Sequence, residues 1–476
     1  MARFLSQIYE QNPWFKDYGN INSDVHLNRL KKYPFIWHES SFLNHSFSDG
    51  VYFVYGIRQI GKTTHLKMFI EKNLNSYNAH NYFYFNCDFL ESKREIVELV
   101  EEYLTHFANR SRRVFIILDE ITSIPDSVLA IKYLVDAGKY KNMTYILSGS
   151  SSVNVKKTGE YLPGRKGKGI DFIFYPICFY DFLEMQNPGI KDAILQISPD
   201  NIERKYYELV SEFPLSEKFD NYLVCGGIPR IINEFYMNNK EIDYEILEIY
   251  KSWITSEVIK NGKKEYIVKI LLNRILNSIT SSVSYNAFLQ DAGIGSHNTV
   301  HDYLEFLESA FIIKQLYHFD FSQKKVNYRK NKKIYFIDPF VFHLADWWLN
   351  SRSKLSVAFL QNNILKSRLI ENVVFNHLFK SWGNDVFFYR NNYEIDFLDR
   401  SDWMVEVKYR DKVVKEDFAY LSKIKTSYNK IVPSKNDLIL GDDVKVIPVD
   451  FYLLLQEQKN HSLLQRRTNI IKNNKK

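Results

Sequence analysis

"VYGIRQIGKTTHLK", residues Val54 to Lys67, decides the fold. An apolar run, Val51-Tyr-Phe-Val-Tyr55, leads into Gly56, and Gly61, Lys62 and Thr63 follow at the spacing G-x-x-x-x-G-K-[ST]. The residues after it, Thr64 to Ile70, read as a helix. Strand, glycine-rich loop and helix in that order are the context of a phosphate-binding loop, where backbone N–H groups cradle the phosphates and a lysine adds charge. Gly56, Ile57, Arg58, Gln59, Ile60, Gly61, Lys62, Thr63 and Thr64 are therefore expected to bind ATP. Lys62 would serve the β/γ-phosphates, and the Thr63 hydroxyl would be a ligand of Mg²⁺.

Further along, Asn81-Tyr-Phe-Tyr-Phe-Asn86 and Arg113-Val-Phe-Ile-Ile-Leu-Asp-Glu120 read as buried strands, the second ending in two acids. A parallel strand buried on both faces delivers its functional groups at the C-terminal end. Asp119 would hold Mg²⁺ through water, and Glu120 would polarise the water that attacks the γ-phosphate. A third strand, Thr144 to Leu147, ends in Ser148, which reads either as a γ-phosphate sensor or as an ordinary turn serine. Arg165, in the Gly-flanked Tyr161-Leu-Pro-Gly-Arg165, is a candidate arginine finger in cis or in trans, or a structural ion pair. In Tyr222-Leu-Val-Cys-Gly-Gly-Ile-Pro229, Gly227 and Pro229 suit packing on an adenine ring, though a helix–helix turn reads the same. Alternating strands and helices imply an α/β three-layer sandwich.

The chain has 476 residues, 45% of them hydrophobic and 25% charged, which fits a globular protein of about three domains. No stretch approaches the ~18 consecutive apolar residues of a membrane span, and the first residues lack a signal-peptide pattern. The cytoplasm is the expected location, with no membrane partner. Cys87, Cys178 and Cys225 are too far apart, and odd in number, for a metal knuckle or a disulfide framework. The net charge of +7 is mild, but it is concentrated in Lys324, Lys325, Arg329, Lys330, Lys332 and Lys333, and again in the tail from Gln465 to Lys476. Such clusters suit a phosphate backbone or simply a solvated surface.

"GIRQIGKTT", "ILDEI", "LSGSSS", "LPGR" and "CGGIPR" occur in an order that resembles prokaryotic AAA-type ATPases of the archaeal-type, STAND-like branch, whose members end in a domain of unknown function. "NPWF", Asn12 to Phe15, resembles that family's N-terminal segment. The resemblance spans nearly the whole chain. It implies a P-loop core with a helical lid, then a winged helix and a nuclease-like domain. It also implies that Gly227 and Pro229 lie in the adenine-contacting lid motif. The expected bounds are an N-terminal segment 1–35, ATPase core 36–185, helical lid 186–260, winged helix 261–340, nuclease-like domain 341–460 and basic tail 461–476.

On its own residues, Ser281 to Asp338 reads as a helix-turn-helix with a wing: a helix from Tyr285, a Gly293-Ile-Gly295 turn, a second helix capped by Ser296, and two strands flanking the basic run. That would place six cations at the tip of a hairpin, with Lys324, Lys325, Arg329 and Lys330 as the DNA-binding candidates. Asp302, Glu305 and Glu308 on the second helix speak against groove reading, so a role in domain packing stands beside DNA binding.

Near the end, "YEIDFLDRSDWMVEVKY" alternates like adjacent strands, with Glu406 and Lys408 on one face and Asp396 beside them. The D…E-x-K pattern resembles the PD-(D/E)XK, or restriction-endonuclease-like, α/β fold. In that reading Asp396 and Glu406 bind Mg²⁺, Glu371 is a further acid, and Lys408 serves the attacking water for cleavage of DNA. Two functions follow: an ATP-hydrolysing, DNA-handling enzyme with a metal-dependent nuclease, or a nucleotide-gated switch whose C-terminal domain only binds DNA or a partner protein. Either is compatible with a homo-oligomer.

Overall fold

Every residue from Gly50 to Gly56 is buried, because strand β1 runs through the middle of a parallel sheet with neighbours on both sides. The computed structural model describes residues 3–139, 141–149, 164–290, 294–321, 323–350, 354–400, 403–424 and 428–456. The chain divides into two compact units: Met1–Tyr175 with Ser309–Phe311, and Pro176–Glu308 with Ile312–Lys476. The stretch 150–163, the Gly293 turn position and the basic tail fall outside the described residues.

In the first unit β1 (Gly50–Gly56), β2 (Tyr82–Asn86), β3 (Val114–Asp119), β4 (Met143–Gly149) and β5 (Asp171–Phe174) form a parallel sheet in the order β2-β3-β4-β1-β5. The helices Lys62–Asn73, Lys93–His106 and Ser127–Asp136 connect them. Crossover helices are what parallel strands require.

Strand β2 lies at an edge, and an edge exposes unpaired backbone groups. The N-terminal segment covers it. Asn12 Nδ2 donates to Tyr84 O at 2.8 Å while Tyr84 N donates to Asn12 Oδ1 at 2.7 Å, so one amide imitates a neighbouring strand. Trp14 Nε1 continues the pattern by donating to Tyr82 O at 2.9 Å.

The second unit opens with helices, among them Phe179–Gln186, Leu215–Cys225, Pro229–Met237 and Tyr244–Lys260. The helices Glu265–Ser278, Tyr285–Leu289 and His297–Ser309 come next, followed by β6 (Ile313–Asp320), β7 (Lys325–Asn327) and β8 (Lys333–Phe336). β6 pairs antiparallel with both β7 and β8. It also pairs in parallel with β9 (Phe387–Arg390), which continues through β10 (Glu394–Leu398), β11 (Trp403–Val405) and β12 (Asn429–Ser434) to β14 (Val444–Pro448), with β13 (Ile439–Leu440) beside β14. A boundary at 340/341 thus cuts through one mixed sheet. The hairpin read as a wing and the nuclease-like strands share a backbone ladder through Tyr317 and Phe387.

The basic run also divides. Lys324, Lys325, Arg329 and Lys330 are exposed, but Lys332 and Lys333 are buried, correcting the expectation of six cations at one tip. Lys332 donates to Tyr328 O and packs its ammonium over the Tyr285 ring.

Candidate functional site

The loop after β1 turns into the helix Lys62–Asn73 at Gly61, whose φ of 102° is one that side chains rarely adopt. Lys62 is buried, and its Nζ donates to Gly56 O at 3.1 Å and Ile57 O at 3.4 Å, which keeps the ammonium inside the loop. Thr63 Oγ1 donates to Asp119 Oδ2 at 2.6 Å, so the start of the helix meets the end of β3. Tyr84 OH donates to the same oxygen at 2.8 Å. Ser148 Oγ, at the end of β4, donates to Asp119 Oδ1 and accepts from Glu120 N at 3.0 Å. Asp119 is 1% exposed, and three hydroxyls orient its carboxylate. Glu120 follows with a left-handed backbone, φ 51°, that turns the chain sharply out of the strand.

These groups fit a magnesium nucleotide. Hard oxygen ligands, Thr63 and Asp119, stand beside a buried lysine and a helix N-terminus. The structure brings Lys62, Thr63, Asp119, Glu120 and Ser148 together as the spacing implied. Arg165 Nε instead donates to Asp136 Oδ1 at 2.7 Å, at the end of the helix Ser127–Asp136.

Two residues escaped the reading of the sequence. His65 is buried; its Nδ1 lies 2.9 Å from Gly61 O and its Nε2 accepts from Glu39 N at 3.0 Å. A neutral ring with the proton on Nδ1 satisfies both contacts, and burial pushes its pKa down to about 4. Lys67 packs over the Tyr84 ring at 3.4 Å and pairs with Asp24 at 3.4 Å; burial lowers its pKa to about 8 despite that partner. The only sequence signal for either is a polar residue on an otherwise apolar helix face.

Gly227 N donates to Asp338 Oδ2 at 2.7 Å, and Gly227 O accepts from Ile177 N at 2.8 Å. A Cβ on Gly226 would stand 2.0 Å from Asp338 Oδ1, and one on Gly227 would stand 2.1 Å from Ile177 O. Close packing inside the second unit accounts for both glycines, and Pro229 opens the helix Pro229–Met237.

The C-terminal carboxylates do assemble, though with an unforeseen partner. Asp396 N donates to Glu406 Oε2 at 3.1 Å, Val407 N donates to Asp396 Oδ2 at 3.0 Å, and Lys408 Nζ donates to Glu406 Oε1 at 2.6 Å. The buried Lys333 of β8 reaches Glu371 at 3.2 Å, Glu394 at 2.7 Å and Asp396 at 2.8 Å. Tyr335 OH donates to Glu371 Oε1 at 2.7 Å. Burial, then the charge of Asp396, pushes the Glu371 and Glu406 carboxyls up. Burial alone would lower Lys333, but Asp396, Glu371, Tyr335 and Glu394 more than offset it and hold the ammonium well above the ordinary range. The chain's own ammonium groups occupy the cluster: Lys333 stands among Glu371, Glu394 and Asp396, and Lys408 holds Glu406. As they stand these residues do not fit Mg²⁺, which corrects the expected metal role of Glu371, Asp396 and Glu406.

The fold and first site are those of a P-loop nucleotide-binding domain. Residues 48–183 match the family described as an AAA domain, 216–352 a domain of unknown function (DUF8612), and 366–452 another (DUF4143). Two uncharacterized proteins of Methanocaldococcus jannaschii are each 25% identical to this chain, one over 72% of the chain and 71% of its own length, the other over 84% of both. An uncharacterized Haemophilus influenzae protein is 22% identical over 61% of the chain and 67% of its own length. Among solved structures, Aeropyrum pernix ORC1 in complex with DNA is 13% identical at a TM-score of 0.30, covering 70% of this chain and 96% of that one. Aeropyrum pernix ORC2 is 14% identical at 0.34, covering 70% and 93%. No helix among the described residues is long and apolar enough to cross a membrane.

Proposed function

We propose that this protein binds ATP with Mg²⁺, hydrolyses it, and uses the nucleotide cycle to control contact with DNA. The observation that carries the reading is the Thr63–Asp119 hydrogen bond of 2.6 Å beside the buried Lys62. Thr63 and Asp119 would hold Mg²⁺, which supplies charge neutralisation on the phosphates. Lys62 balances the β/γ-phosphate charge, and the loop N–H groups fix their position. Glu120, its backbone tied to Ser148, orients and polarises the attacking water. Arg165 serves as the arginine finger, in cis or toward a neighbouring subunit's nucleotide in a homo-oligomer.

Lys324, Lys325, Arg329 and Lys330 supply the DNA contact; all four are exposed, and none pairs with an acid among the described residues. The engagement of the C-terminal carboxylates by Lys333 and Lys408 favours a domain that binds over one that cuts. Fluorescent-ATP binding and phosphate release test the reading together: Lys62→Ala should lose both, whereas Glu120→Gln should lose only release. Wild-type behaviour in both variants would overturn it.

A further inference from the structure

The carboxylates Glu371, Glu394, Asp396 and Glu406 arrive from a helix, from β10 and from the residue that follows β11, yet they meet in one cluster, Asp396 and Glu406 buried and Glu371 and Glu394 half-buried. Three cations reach it among the described residues, one of them, Arg390, only at its half-exposed edge, 3.5 Å from Glu394 Oε2. Lys408 takes one oxygen of Glu406, and Lys333 takes one oxygen from each of the other three acids. Four carboxylates against three cations leave an excess of negative charge, and around the buried Asp396 and Glu406 only the two ammonium groups offset it.

Lys333 is fully buried, and its three partners lie 2.7 to 3.2 Å away on two elements, Glu371 on a helix and Glu394 and Asp396 on β10. A small hard cation collects carboxylate oxygens in the same way. The lysine belongs to β8, an element that carries none of the acids, so the cluster is closed from a separate hairpin. We infer that Lys333 is a built-in counter-cation: its ammonium and a divalent ion compete for the same oxygens of Glu371, Glu394 and Asp396, and the lysine holds the site in the wild type. The inference rests on the C-terminal geometry and is independent of the ATP reading.

Removing the lysine should then turn the cluster into a divalent-cation site. The test uses the full chain without nucleotide and follows free Mn²⁺ by electron paramagnetic resonance. Lys333→Ala and Lys333→Gln should each bind Mn²⁺ at a new site at least ~10-fold more tightly than the wild type does there. That binding should vanish in Lys333→Ala/Asp396→Asn, which keeps the first unit intact and so subtracts its contribution. The same Lys333 variants should melt lower than the wild type without metal and recover with Mn²⁺, whereas the wild-type melting temperature should not respond through Asp396. Should neither variant fold alone, Mn²⁺ must restore native circular dichroism on refolding. The inference is overturned if the wild type already binds Mn²⁺ in a way that Asp396→Asn removes. It is overturned equally if the Lys333 variants gain no Asp396-dependent site, or fail to refold with the metal. Fluorescent-ATP binding to the same variants separates this outcome from a failure of the nucleotide reading.

Discussion

Thr63 Oγ1 donates to Asp119 Oδ2 at 2.6 Å, joining the first turn after the phosphate loop to the end of the neighbouring acidic strand. Ser148 orients the other Asp119 oxygen and also accepts from Glu120 N, so the loop, the acid pair and the end of β4 are held as one unit. Preorganised groups of this kind cost little to rearrange during reaction, which is where electrostatic catalysis gains most. Glu120→Gln should therefore keep ATP affinity and cut steady-state phosphate release by ~10²-fold or more. Ser148→Ala should lower turnover less, because Asp119 keeps its hydroxyl partners Thr63 and Tyr84.

His65 makes the loop sensitive to acid. Its ordinary pKa is 6.5 and burial holds it near 4, so the folded state favours the neutral ring. A depressed pKa contributes stability that is fully present above 6.5 and is lost as pH falls through the window from 6.5 to about 4. Protonating Nε2 would also set a donor against the Glu39 N–H it now accepts from. The effect is on the order of 3 kcal/mol. Melting temperature should fall in that window for the wild type, and less steeply for His65→Gln. Parallel profiles for the two proteins would remove His65 from the account.

What the sequence made legible follows from locality. Gly56 to Thr64 must be contiguous for the backbone to wrap phosphate, and Asp119-Glu120 must close an apolar run, so both could be read directly. Lys333 could not: its carboxylate partners Glu371 and Asp396 lie 38 and 63 residues further along, and its neighbours Lys330 and Lys332 make it look like one more solvated cation. The Asn12–Tyr84 exchange spans 72 residues and carries no local pattern either. The glycines at 226 and 227 could be read as demanding close approach, but the partner was Asp338, 111 residues on from Gly227.

That partnership predicts a stability defect. Gly226 has φ 67°, and a side chain there would also collide with the Asp338 carboxylate. Burial has already raised the Asp338 pKa to about 7, with the N–H groups of Gly227 and Phe340 as its compensation. Gly226→Ala should cost about 2 kcal/mol or more in chemical denaturation, from backbone strain and the displaced acceptor together. Gly138→Ala is the comparison, since nothing lies within 4 Å of its Cβ position although its φ is also positive, 76°. Equal losses in both variants would show that strain alone, without Asp338, sets the cost.

The exposed cations carry the DNA prediction. Lys324, Lys325, Arg329 and Lys330 lie on and around the short strand β7, with side chains in solvent, whereas Lys332 and Lys333 are consumed by internal contacts. Only the exposed four can release counterions from a phosphate backbone, so only they should enter the salt dependence. Replacing all four with Gln should weaken binding to duplexes of unrelated sequence by similar factors. It should also reduce the slope of log affinity against log salt by ~0.9 for each phosphate that the hairpin no longer neutralises. Fluorescence anisotropy across a salt series measures both quantities on the full chain. The acids Asp302, Glu305 and Glu308 on the preceding helix argue that base sequence is not read, so the weakening should not depend on it. A slope unchanged in the quadruple variant would take this hairpin out of the interface and leave its sheet pairing with β9 as its whole role.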